Sequence, residues 1–154
     1  MIETPRLTEL PARDTAVIHV TCTREEIQQV MGQGVRDLMD GLKAQGVSPA
    51  GPLFTHHLRR PTDSFDFEIG VPVDRPVGPG GRIHPAQWPA MRVAQTVYRG
   101  RYEDLAQGWG EFKAWLAGHE WTLAPDLWES YVTGPETGSD PTAWRTELVQ
   151  PLQG

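Results

Sequence analysis

One cysteine, Cys22, is the whole of the chain's thiol chemistry. No disulfide can form within it, and a zinc cluster would lack its cysteine ligands. Basic residues are scarce as well: 14 Lys and Arg stand against 20 Asp and Glu, a formal net charge of -6. Gripping a phosphate backbone takes a clustered excess of positive charge, so nucleic acid is not an expected partner, whereas cationic ligands fit the balance. No apolar run approaches the ~20 residues of a membrane span, so no membrane association is expected. The opening MIETPRLTELPARD is polar and acidic, unlike a secretory signal. A soluble cytoplasmic protein is the expectation. None of the five histidines (His19, His56, His57, His84, His119) has metal-ligand spacing to a second donor, so neither metal nor cofactor is expected. A G-x-S-x-G elbow and a flanked Cys-His pair are also missing, which removes the usual sequence marks of a nucleophilic triad.

What the chain does have is a pattern written twice. TAVIHVTC alternates and is rich in β-branched residues, as a strand does. Ile27, Val30, Met31, Val35, Leu38, Met39 and Leu42 then recur at helical spacing. Thr23 and Glu26 form a candidate capping box before this helix, and Gly46 a candidate stop. GPLFTHHLR and SFDFEIGVPV follow as strands. The order returns in MRVAQTVY (strand), YEDLAQGWGEFKAWLAGH (helix), LWESYVT and AWRTELVQPL (strands). The second helix carries Tyr102, Leu105, Trp109, Phe112 and Leu116 on one stripe.

EIGVP at Glu68 matches ELVQP at Glu147, and LFTHH matches LWESY, so Thr55 answers to Glu129 and His57 to Tyr131. The difference in offset falls in a turn, RPTDS against GPETGSDPTA, where insertions are tolerated. DRPVGPGGRIHPAQWP reads as the connector between halves at about 14–73 and 90–153 of a single domain over 1–154. Its GPGG opens into no helix and reads as a loop, not as a phosphate cradle. The fold class expected is α+β: a tandem β-α-β-β repeat with pseudo-twofold symmetry, forming an antiparallel sheet. Both helices lie on one face, and a ligand cleft is expected on the other.

Alternation then sorts the side chains. Phe65, Phe67, Ile69, Val71 and Val73 share a face, which should meet the helices, and Glu68 points the opposite way. In LWESYVT, Trp128 is expected on the helix side, with Glu129 and Tyr131 on the open side. Only the second half has an acid at this position, which marks Glu129 as serving something other than the fold. Trp88 and Trp144 are the tryptophans expected to contribute to the cleft, and Glu147 is expected to be exposed.

EIGVPV, WPAMRVAQTVYRGRYEDL, LWESY and TELVQPL, in this order, resemble the GyrI-like small-molecule-binding family, from about Ala16 to Leu152. That module also forms the effector-binding half of multidrug-sensing transcription regulators. This chain resembles the stand-alone form, with no room for a DNA-binding helix-turn-helix. The resemblance implies that Glu129 is the central pocket carboxylate, that Tyr131 lines the pocket, and that Tyr102 is the aromatic at the start of the second helix. Tyr98 stands where the family usually has histidine, and Met91 where it usually has glycine. The ligand-binding set expected is Glu129, Tyr131, Tyr98, Tyr102, His57, Glu68, Trp88 and Trp144.

Three functions fit this set. The first is a receptor for lipophilic, often cationic aromatic compounds in a xenobiotic or drug response. The second is a hydrolase of cyclopropanoid toxins. It would use Glu129 as an acid with a pKa raised by burial, with Tyr131 as hydrogen-bond donor. The third is a protein-interaction role toward gyrase, after the family's namesake.

Overall fold

The structure is a computed structural model and describes residues 2–59, 62–134 and 138–153. Among these residues nine strands and two α-helices run in the order β1 (Arg6–Leu10), β2 (Arg13–Thr23), α1 (Ile27–Gln45), β3 (Phe54–His57), β4 (Ser64–Pro72), β5 (His84–Trp88), β6 (Met91–Arg99), α2 (Leu105–Ala117), β7 (Thr122–Leu123), β8 (Leu127–Thr133) and β9 (Arg145–Gln153). The main sheet is antiparallel with the order β1-β6-β9-β8-β3-β4-β2-β5, and β7 adds to β9. Matching β2-α1-β3-β4 to β6-α2-β8-β9 makes this order read the same from either end. The tandem repeat is therefore present, with its twofold axis between β3 and β8. The two turns that absorb the length difference, RPTDS and GPETGSDPTA, run partly outside the described residues.

Local signals account for most elements. The Thr23 N–H donates to the Glu26 carboxylate, as in one arm of a capping box, and the regular helix begins just after it at Ile27. Gly46 ends α1 in the left-handed region at φ 67°, where glycine carries no Cβ penalty. The segments expected to be polar opening and connector instead contain β1 and β5. Each is an edge strand, where a short length and Pro85 are tolerated because one side of the ladder is unpaired.

These edge strands close the sheet on itself. β1 pairs with β6 and runs through two residues into β2, while β5 pairs with β2 and runs through Pro89 and Ala90 into β6. Both ends of the sheet must therefore meet. Val17, Phe54, Trp88, Val93, Trp128 and Val149, drawn from both halves, form a dry core on the face away from the helices. On the helix face, α1 lies over β2 and β4 and α2 over β6. Leu38 and Leu42 bury themselves against Phe67, Ile69 and Val71, and Phe112 and Leu116 against Ala94, Tyr98 and Leu148. Each fully buried side chain of this size contributes about 1.5–3 kcal/mol. Both helices approach closely at a glycine: a Cβ on Gly34 would stand 2.5 Å from Ile69 Cδ1, and one on Gly108 2.5 Å from Tyr98 Cδ1. No helix among the described residues is long and apolar enough to cross a membrane.

Two expectations about faces are corrected. The face opposite the helices is filled by core, so it offers no cleft beside Glu129. Trp128 belongs to that core, whereas Glu129 points to the helix side, where the α2 residue Trp109 reaches it. Alternation separates the two residues correctly but cannot say which face either takes. Here the curl gives both faces an interior.

Candidate functional site

β3 and β8 form the seam between the halves and lie between the two helices. In this pair Thr55 is the cross-strand partner of Glu129. The two residues also correspond in the repeat, 74 positions apart, so the pseudo-twofold axis passes between them. Threonine sits on one side of the axis and a carboxylate on the other.

Glu129 is 8% exposed, and its carboxylate is met by several polar groups. The Trp109 indole donates to Oε2 at 2.6 Å. The Tyr131 hydroxyl donates to Oε1 at 2.9 Å, and the Thr55 hydroxyl reaches the same oxygen at 3.4 Å. His57 Nε2 stands 3.6 Å from Oε1, an ion-pair distance, and 3.2 Å from Thr55 Oγ1. Thr55 Oγ1 also bonds the Tyr131 hydroxyl at 2.9 Å, which makes it the hub of the group. Burial pushes the Glu129 carboxyl upward, but His57, the indole and the phenol outweigh it, so the group is held below the usual carboxylate range. This reverses the expectation of a raised value. Burial and the neighbouring Glu129 charge hold the Tyr131 phenol well above its ordinary range, so it keeps its proton.

A line of rings leads outward from the acid. Tyr102 meets Tyr131 edge-on at 5.7 Å, and Trp144 tilts against Tyr102 at 5.5 Å. Tyr102 is 38% exposed, so the line reaches solvent. The structure thus places Glu129, Tyr131, His57, Tyr102 and Trp144 near one another.

Three expected members lie elsewhere. Tyr98 is buried under α2, packed on Gly108, and spends its hydroxyl on the Arg101 carbonyl at 3.1 Å. Trp88 is in the core on the far face, stacked on Trp128 at 4.1 Å. Glu68 is on that far face too, bonded to His56 Nδ1 at 3.2 Å. His56 Nε2 bonds Asp126 at 2.7 Å, and its ring stacks on Trp128 at 3.8 Å. Burial opposes the charge on His56, but the two carboxylates prevail and raise its pKa. Glu147, expected to be exposed, is half-buried, and burial raises its pKa against the pull of Arg6 and Arg13.

Thr55 and Trp109 were not expected in the site. The repeat had already paired Thr55 with Glu129, and that was its signal. Trp109 gave only the signal of a core stripe, because an indole can fill a core with its ring and still aim its N–H at an acceptor.

A family model described as the GyrI-like small molecule binding domain matches residues 3–153. Among solved structures, the C-terminal domain of EcmrR is similar with a TM-score of 0.82 at 21% identity, covering 97% of each chain. The chain spans 57% of the EcmrR polypeptide in its complex with DNA. SAV2435 bound to tetraphenylphosphonium is similar with a TM-score of 0.66 at 16% identity, covering 99% of this chain and 95% of that one. A hydrolase from Listeria innocua gives 0.63 at 10% identity, covering 97% and 91%. No curated protein matches the chain.

Proposed function

The chain belongs to the GyrI-like small-molecule-binding family, and we propose that it is a receptor for lipophilic cations that carry aromatic rings. The observation that carries this reading is Glu129: a buried carboxylate on the axis of the repeat, with the rings of Tyr131, Tyr102 and Trp144 in a line from it to the surface. A buried charge is costly without a partner, and rings add cation–π attraction of about 0.5–2 kcal/mol per good contact. Tetraphenylphosphonium, the compound held by a structural neighbour, has the same chemistry of delocalised charge inside aromatic surface. A role in drug or xenobiotic response follows from this ligand class.

Calorimetric titration with tetraphenylphosphonium and the neutral triaryl compound triphenylphosphine oxide tests the reading. Glu129→Gln keeps the shape and removes the charge. It should weaken the cation by about 3 kcal/mol, the attraction of unit charges roughly 6 Å apart at an effective dielectric constant of about 20, and leave the oxide nearly unaffected. Equal loss for both compounds, or for neither, removes Glu129 from the reading.

A hydrolase reading draws support from the same acid beside a phenol. The lowered pKa of Glu129 suits a base that positions water rather than an acid that protonates substrate. A product assay on cyclopropane-bearing compounds, run beside the titration, separates turnover from binding.

A further inference from the structure

The two halves treat their matching acids differently. Glu68 and Glu147 correspond in the repeat, and both turn to the face away from the helices, as Val149 does two residues on from Glu147. Each has a cross-strand neighbour there, His56 for Glu68 and Ser130 for Glu147. In the first half the imidazole closes the arrangement, with Nδ1 on Glu68 at 3.2 Å and Nε2 on Asp126 at 2.7 Å. In the second half serine is too short to do the same, and Pro52 stands where Asp126 would. Glu147 is left unmatched. It is half-buried, and among the described residues Arg6 and Arg13 act on it only through space, without offsetting its burial. A carboxylate so placed is costly to ionise without a close donor.

Glu147 faces a cavity of about 240 Å³, which Arg6, Gln95, Val97 and the segment Glu3 to Thr4 also line. The protein itself fixes these walls. The Glu3 N–H donates to the Val97 carbonyl at 2.9 Å, and the Thr96 hydroxyl donates to the Glu3 carbonyl at 2.6 Å. The Glu3 carboxylate is taken by Arg99 at 2.7 Å. Arg6 is tied to the buried Gln95, whose amide, oriented with its oxygen toward the guanidinium, accepts from Nη2 at 2.8 Å and from Nε at 3.2 Å. That edge of the guanidinium is spent, while Nη1 carries two further donors. The chamber thus has a carboxylate on one wall and a guanidinium on another, held apart instead of paired.

Opposite charges that face one chamber without touching select a ligand carrying both signs. A simple cation on Glu147 would be repelled by Arg6, and a simple anion on Arg6 would be repelled by Glu147. Drug-sized ligands take pockets of roughly 300–1,000 Å³, so this smaller chamber suits a compact molecule. We propose that it is a second binding site, for a short aliphatic amino acid. The ligand's ammonium takes the place on Glu147 that His56 takes on Glu68, and its carboxylate meets Arg6. The site lies on the opposite face of the sheet from Glu129 and stands independently of the cation-receptor reading.

Titration of isotope-labelled protein with ω-amino acids, from glycine to ε-aminocaproate, tests the site and measures the span between its charges. One length should shift the amide resonances of Gln95, Thr96 and Val97. It should bind at least about tenfold more tightly than the alkylamine or the carboxylic acid of the same length, the factor for one added charged contact. Glu147→Gln and Arg6→Gln should each weaken that ligand by roughly tenfold or more. Should either variant fold poorly, the wild-type titration decides alone. Shifts centred on the β3–β8 seam instead, or an amine or acid that binds as tightly as the zwitterion, would overturn the site. So would unchanged affinity in both variants, or no ligand in the series binding more tightly than about 10 mM.

Discussion

His56 and His57 are neighbours on one four-residue strand, yet they live in opposite chemistries. His57 points to the helix face and shares one carboxylate with two hydroxyls and an indole, with Nδ1 left unpaired. His56 points to the far face with both nitrogens bonded, to Glu68 on β4 and Asp126 just before β8, and with its ring flat on Trp128. One imidazole is fully matched and fixed in place. The other is under-matched, with one ring nitrogen unpaired. A strand one residue out of step would swap the two roles, which is why register at the seam matters to function. The contrast belongs to the two imidazoles alone, because the buried indole N–H groups of Trp88 and Trp128 on the far face are unpaired as well.

The largest test of this contrast removes the surface on which His56 rests. Trp128→Ala should destabilise the fold by about 3–5 kcal/mol, the range for deleting a buried large aromatic, as measured by chemical denaturation. A cost of under about 1 kcal/mol would mean that the far face is not a core.

His56→Gln should cost less, about 1–3 kcal/mol for lost bonds to charged groups, and its cost should depend on pH. The folded-state pKa of His56 is raised. Its charge therefore stabilises fully below the unfolded value of about 6.5, and that stability is lost as pH rises through the folded value. The gap between variant and wild type should narrow toward alkaline pH. Asp126, lowered chiefly by its bond to His56, acts at the other end: its contribution holds above the unfolded value of about 3.9 and disappears as pH falls through the lowered one. Denaturation midpoints across pH check both, and a gap that widens toward alkaline pH would contradict the clamp.

Thr55→Val should have the smallest effect on stability, about 0.5–1.5 kcal/mol for the lost hydrogen bonds. It should nonetheless weaken cation binding, read by calorimetric titration, because the hydroxyl connects His57 to Tyr131 and Glu129 and so positions the carboxylate. The same substitution tests whether the working side depends on this bridge more than the fold does.

Much of this was legible in the sequence, for reasons that particular residues make clear. β8 coincides with the segment LWESYVT because a β-branched and aromatic run between Pro125 and Gly134 has few alternatives. The pairing of Thr55 with Glu129 was readable from the repeat, and with it the place of the axis. β1 and β5 were hidden, because edge strands need neither strong alternation nor freedom from proline. The side taken by Trp128 was hidden for a different reason. Apolar-in and polar-out assumes one wet face, and a sheet that curls around its own core has none near its centre. Tyr98 fell out of the site because Gly108 lets α2 settle directly on it, a contact that no single-strand pattern reveals.

The far-face stack has a consequence for how the molecule interacts with light. Trp88 and Trp128 come from β5 and β8, strands well separated in the sheet order, yet their rings overlap at 4.1 Å and 19°. The Arg13 guanidinium caps one end of the pair at 4.9 Å and the His56 ring the other at 3.8 Å. Two indoles so close share their excited states, so their ultraviolet transitions split into a pair of circular-dichroism bands of opposite sign. That couplet exists only while the curl is closed. It gives the protein an intrinsic optical signature of its far face, separate from the emission of Trp109, whose N–H rests on Glu129. Closure of the sheet can thus be followed in an unlabelled sample.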